Sequence, residues 1–185
     1  MKKSFFNITE LSGIPVCMAA VSFLRDFYII SKKSTLGVLL GSVNNSIWEQ
    51  MKPIILCYIL YSGIELLILK PYFKRFVSAK ALGVYAAVIT YLLSVRIIPD
   101  KLGALVTLAA IVVGFLVSKY LTLWEKDISG MFSVACFMLL LIFIMYFSFT
   151  AFPLRLDVFL DRELGMYGII PEYIDTGAGA LVDSC

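Results

Sequence analysis

The sequence predicts an all-α integral membrane bundle of about five transmembrane helices with one or two short interfacial helices. Five apolar stretches predict it first, at about residues 13–30, 53–69, 81–98, 102–121 and 128–150. Each is long enough, or nearly so, to cross a bilayer, which takes about 20 mostly apolar residues. Charged residues supply only 16% of the chain, against about 25% in soluble domains. Lipid-facing surfaces require that depletion, because an unpaired charge in hydrocarbon is costly. Finally, the spans and their connections consume nearly all of the 185 residues. The expected organisation is therefore a single integral membrane domain over residues 1–185.

The first span follows Lys2 and Lys3, as in a secretory leader. The polar stretch Asn7–Ser12 and the Arg25–Asp26 pair interrupt that pattern, so a retained span is expected. The connection over residues 31–52 is more than a link. It holds an apolar run at Thr35–Leu40 and then Ser46 with Glu49 three residues later, a capping-box spacing that starts a helix. Pro53 then implies either a kink or a short interfacial helix that stops before the second span. Trp48 suits a membrane–water interface.

Spans three and four, joined by the short Ile98–Lys101 segment, read as a hairpin. Ala86, Thr90 and Ser94 stack on one helix, and Ala110, Gly114 and Ser118 on the other. Small residues four apart let helix backbones approach closely. Span five is rich in Phe, Met, Leu and Ile, and is expected to face lipid. In the tail at 153–174, Leu156, Phe159, Leu160 and Leu164 recur at helical spacing. A short interfacial helix ending at Gly165 is expected there.

Orientation follows from Lys and Arg placement. Lys70, Lys74, Arg75 and Lys80 form a compact basic segment without an acid, read as a cytoplasmic loop. The N-terminus is then cytoplasmic and the C-terminus outside, in a multi-pass protein of the plasma membrane.

Several function classes lose support from composition. There is no histidine, which removes His-based general bases and the commonest zinc ligand. Cys17, Cys57 and Cys136 lie inside apolar spans and read as small hydrophobes. No Lys/Arg run is long enough for nucleic-acid binding. No catalytic set and no metal site is expected, although carboxylate chemistry stays open.

Ionisable residues inside spans are functional candidates by default. Glu65 and Arg96 lie near span ends and can pair locally or snorkel. Arg25 and Asp26 lie deeper and need partners; Glu49 for Arg25 and Lys52 for Asp26 are the expected ones. The candidate binding set is Arg25, Asp26, Asn44, Asn45, Trp48, Glu49, Gln50 and Lys52, forming a polar pocket near the outer face. The alternative is that the same residues only fix the first connection against span one. Asp157 and Asp161, one helical turn apart in the expected tail helix, form a carboxylate pair that either clamps a hard cation or faces solvent.

The run Val43-Asn44-Asn45-Ser46-Ile47-Trp48-Glu49-Gln50-Met51-Lys52 resembles the V-N-x-S-x-W-E-H-x-K signature of an uncharacterised family of small bacterial integral membrane proteins. Phe159-Leu160-Asp161 and Gly165-Met166-Tyr167-Gly168 are similar to that family's closing F-x-D and G-x-Y-G pattern. Gln50 stands where the pattern has His. The resemblance implies a multi-span architecture over nearly the whole chain and points to the first connection; it implies no activity.

The functional expectation is a small membrane protein that binds or transports a small solute or ion through the polar pocket. The alternative is an accessory or assembly subunit of a larger membrane complex. An intramembrane enzyme is the weakest reading. The lipid bilayer is the expected environment, with a small solute or ion, or other membrane subunits, as partners.

Overall fold

A computed structural model describes residues 3–99, 102–124, 127–161 and 164–169, with side chains from Phe6 onward. Among these residues the helices are α1 (Lys3–Ile30), α2 (Thr35–Leu40), α3 (Ile47–Leu69), α4 (Phe73–Ile97), α5 (Gly103–Leu123) and α6 (Phe132–Ala151). A 3-10 turn at Ser129–Met131 leads into α6. Five of the helices are long and apolar enough to cross a membrane; α2 is the short one. The described chain forms two compact units, one from Met1–Ser22 and Ile54–Ile144, the other from Phe23–Pro53 and Met145–Cys185.

The first unit is held by close backbone approach. α4 and α5 pack against each other as the expected hairpin. The seam on α5 is the predicted one, with Ala110, Gly114 and Ser118 buried. On α4 it is shifted by one position: Gly83, Ala87 and Tyr91 are buried, while Ala86, Thr90 and Ser94 are only partly so. Both sets obey the four-residue spacing, and spacing alone does not say which turns inward. A Cβ at Gly114 would stand 2.9 Å from the Ala87 Cβ and 3.1 Å from the Gly83 carbonyl oxygen. Tyr58 on α3 closes this seam by donating to the Gly114 carbonyl at 3.1 Å. α1 joins where Gly13 lies against Phe115 and Tyr61, and the Tyr61 hydroxyl donates to the Thr9 carbonyl at 2.6 Å. Tyr85 ties α4 to α6 through the Met138 carbonyl, at 2.9 Å. The rest of α6 in this unit is mostly exposed, as expected of a lipid-facing helix.

Two boundaries differ from expectation here. α1 begins ten residues before the predicted span, at Lys3, and so takes in Glu10. α4 begins at Phe73, so the basic segment at 70–80 is mostly helix and Lys80 lies two turns inside it. Hydropathy weighs a charged residue against a span, but a buried partner removes that penalty.

The second unit is built around the start of α3. Ser34 caps α2 by accepting the Gly37 N–H at 3.1 Å. Gly37 and Gly41 pass close to Tyr28 on α1; a Cβ at Gly41 would stand 2.7 Å from the Tyr28 nitrogen. Of the two arrangements that Pro53 left open, the helix runs through it: α3 is continuous from Ile47 to Leu69. Proline removes one helical donor and frees the carbonyl four residues earlier. That carbonyl belongs to Glu49, and the Ser42 hydroxyl donates to it at 2.7 Å.

The tail corrects the expected interfacial helix. Residues 152–161 form turns, and Leu160 and Tyr167 make an isolated antiparallel bridge. Gly165 and Gly168 adopt positive φ, +66° and +74°, a region open to glycine at no steric cost. Asp157 is exposed and Asp161 buried, so they are not a pair on one helix face. The expected tail beyond Ile169 lies outside the described residues.

Candidate functional site

In the second unit the two stretches that carried the family resemblance interlock. The first backbone N–H groups of a helix have no partner within it, and here the tail supplies some. Trp48 N donates to the Val158 carbonyl at 3.0 Å, and Asn45 N, just ahead of α3, donates to Asp161 Oδ2 at 2.9 Å. Asn44 Nδ2 donates to the Gly168 carbonyl at 2.7 Å, while its Oδ1 accepts the Ser46 N–H at 2.9 Å. A carboxylate beside a helix N-terminus is also favoured by the helix dipole. The Trp48 ring packs against Phe149 and Phe159, with centroids 5.2 and 5.5 Å away.

The capping box forms by half. Ser46 Oγ accepts the Glu49 N–H at 3.3 Å, but the Glu49 carboxylate does not return to Ser46. It accepts the Val43 N–H at 3.1 Å and the Thr150 hydroxyl at 3.1 Å, and pairs with Lys52 Nζ at 2.9 Å. Lys52 also donates to the Val38 carbonyl at 3.3 Å, and its ammonium lies 5.3 Å from the Tyr146 ring centroid. Both charges are almost fully buried. The expected pairings are therefore corrected: Glu49 holds Lys52, and Arg25 donates to the Gln50 carbonyl at 3.4 Å. An i,i+3 pair on one helix meets without any tertiary requirement, whereas the expected pairs join residues more than twenty positions apart.

The eight predicted residues thus divide. Arg25, Asp26, Asn44, Asn45 and Gln50 line a recess of about 230 Å³, together with Ser42 and Tyr28. Trp48, Glu49 and Lys52 do not line it; they are the buried support of the α3 start.

A second polar constellation lies in the first unit, and sequence reading missed two of its members. Lys80 Nζ lies 2.7 Å from Glu10 Oε1 and 2.5 Å from Glu65 Oε2. Ser118 Oγ points at Glu10, 3.3–3.4 Å from its two oxygens, and also donates to the Phe115 carbonyl at 3.1 Å. The rings of Phe115, Phe76 and Tyr58 surround the ammonium, with centroids 5.1, 5.3 and 5.6 Å away. Glu10, Glu65, Lys80 and Ser118 are all buried. Glu65 stood out in the sequence as a charge inside a span. Glu10 was hidden in a polar stretch placed before span one, and Lys80 in a presumed loop. The available signal was that all three fall inside continuous helical, largely apolar sequence once the helices are extended by two to three turns.

Five apolar helices fit a multi-pass membrane protein. Within that class the chain belongs to a family of unknown function, DUF6512, whose sequence profile matches residues 2–169. No curated protein and no solved structure matches the chain.

Proposed function

We propose that this protein binds a small polar solute or ion in the recess beside Arg25 and Asp26, as a carrier or receptor component of the cell membrane. The observation that supports this reading is the lining. One guanidinium, one carboxylate and the amides of Asn44, Asn45 and Gln50 meet at a single open concavity. Small-molecule sites run from about 300 to 1,000 Å³, so a recess of about 230 Å³ suits an ion or a solute no larger than an amino acid. Charges of both signs at one rim favour a zwitterion or a hydrated ion over an apolar ligand. The buried Glu49–Lys52 pair and the tail interlock hold the wall in place, which is what a preformed site requires.

The test is ligand-dependent thermal stabilisation of the purified full chain across amino acids, small anions and small cations. At least one class should raise the melting temperature, and Asp26→Asn or Arg25→Gln should remove that rise without lowering the melting temperature of the empty protein. If nothing stabilises the protein and defined subunits co-purify with it, the accessory-subunit reading replaces this one.

The proposed orientation has a cytoplasmic N-terminus and an external C-terminus. It is supported by Lys2, Lys3, Lys70 and Lys74, which a five-span chain places on one side. Cys185, outside the described residues, should then react with a membrane-impermeant maleimide in intact cells. Reaction only after lysis reverses the orientation.

A further inference from the structure

We infer that Glu10, Lys80 and Glu65 form a proton-binding site, in which the carboxylate pair holds one exchangeable proton. The inference is independent of the recess and of what the recess binds.

Charge parity is the first support. Two carboxylates share one ammonium at 2.7 and 2.5 Å, with all three side chains buried. Fully ionised, the group carries one uncompensated negative charge, and an uncompensated buried charge is strongly destabilising. Ionisable residues inside membrane segments mark ion and proton pathways for that reason. A purely structural ion pair would need only one of the two acids.

The second support is space. Lys80 Nζ bridges the two carboxylates, and three aromatic rings lie around it at 5.1–5.6 Å. A metal cation that bridged the acids would have to displace the ammonium. A proton needs no added volume, since it converts one carboxylate oxygen into an O–H.

The third support is access. A cleft of about 120 Å³, lined in part by Tyr58, Ser62, Leu66 and Leu139, reaches Lys80, so the group is not sealed on every side.

Among the described residues, no other charged side chain contacts the triad from the neighbouring helices. The titratable groups around it are Cys17 on α1 and Tyr58 and Tyr61 on α3; α5 offers Ser118. Thiols and phenols are ordinarily neutral near pH 7. Protonation is thus the step –COO⁻ + H⁺ → –COOH at one glutamate, with the proton drawn from bulk water.

The experiment is infrared difference spectroscopy of the full chain in lipid nanodiscs, stepped between about pH 9 and pH 5. The expected result is a protonated-carboxyl band, worth one proton per chain, that shifts in D₂O and is absent from both Glu10→Gln and Glu65→Gln. Each variant leaves a one-to-one pair with Lys80, so charge balance and folding are kept. Three outcomes overturn the inference. The band can be missing from the parent at every pH. It can persist in both variants. Or it can be abolished when sodium replaces choline, which would make the triad a metal-cation site. The parent's own titration and D₂O shift decide the matter even if a variant folds poorly.

Discussion

Lys80 and Glu10, seventy residues apart in the chain, meet at 2.7 Å between Nζ and Oε1 with both side chains buried. That contact ties α1 to α4 within the first unit. It also shows how a membrane helix carries a lysine two turns from its start: the partner acids and the surrounding rings replace water.

The seam between α4 and α5 should be intolerant of bulk. Gly114→Leu would drive a side chain into Ala87, the Gly83 carbonyl and Tyr58. Overpacking of this kind typically costs about 1–3 kcal/mol. Leu140→Phe on α6, at an exposed position, should leave the melting temperature close to the parent's. Equal melting curves for Gly114→Leu and the parent would show that the seam yields.

The Glu49–Lys52 pair should behave as a buried pair that tolerates joint replacement better than single loss. Lys52→Met strands the Glu49 carboxylate and should cost about 3–5 kcal/mol. The double variant Glu49→Gln/Lys52→Met should recover much of that in thermal or denaturant unfolding. Exchanging the two residues should not rescue. Glu49 also accepts the Val43 N–H and the Thr150 hydroxyl, and an ammonium at position 49 cannot accept. A swap as stable as the parent would contradict this account.

The two tail aspartates should differ sharply. Asp161 accepts Asn45 N on one oxygen and Leu164 N on the other. Asparagine can accept on only one, so Asp161→Asn should lose about 1–3 kcal/mol. Asp157 is exposed, and Asp157→Asn should stay within about 0.5 kcal/mol of the parent. The comparison needs only two melting curves.

Acidification should loosen the entry to α6. The Asp127 carboxylate accepts the Ser129 hydroxyl at 2.7 Å and the Ser129 N–H at 2.9 Å, and these bonds hold it below the usual aspartate range. A group whose folded value is depressed stabilises the fold above its unfolded value, about 3.9, and that gain is lost as pH falls through the folded value. Amide exchange at residues 129–133, corrected for intrinsic rate, should therefore accelerate below about pH 4. Asp127→Ala should remove the pH dependence. An unchanged profile in that variant would assign the effect elsewhere.

The sequence by itself determined the architecture. Length and apolarity decide whether a segment can cross a bilayer, and both are read directly along the chain. The five long helices, the α4–α5 hairpin, the α5 face Ala110–Gly114–Ser118 and the exposed α6 all follow from such local quantities. Residues 43–52 and 159–168 also stood out in the sequence, as two separate stretches. Only the tertiary structure decided that they bind each other through Asn44–Gly168 and Asn45–Asp161, which makes part of the expected pocket a buried support. It likewise decided that Glu10 and Lys80 belong inside the fold. A charge counts against a span when read alone and in favour of one when its partner is present. Pairing is a property of residues far apart in sequence, so a window along the chain cannot see it.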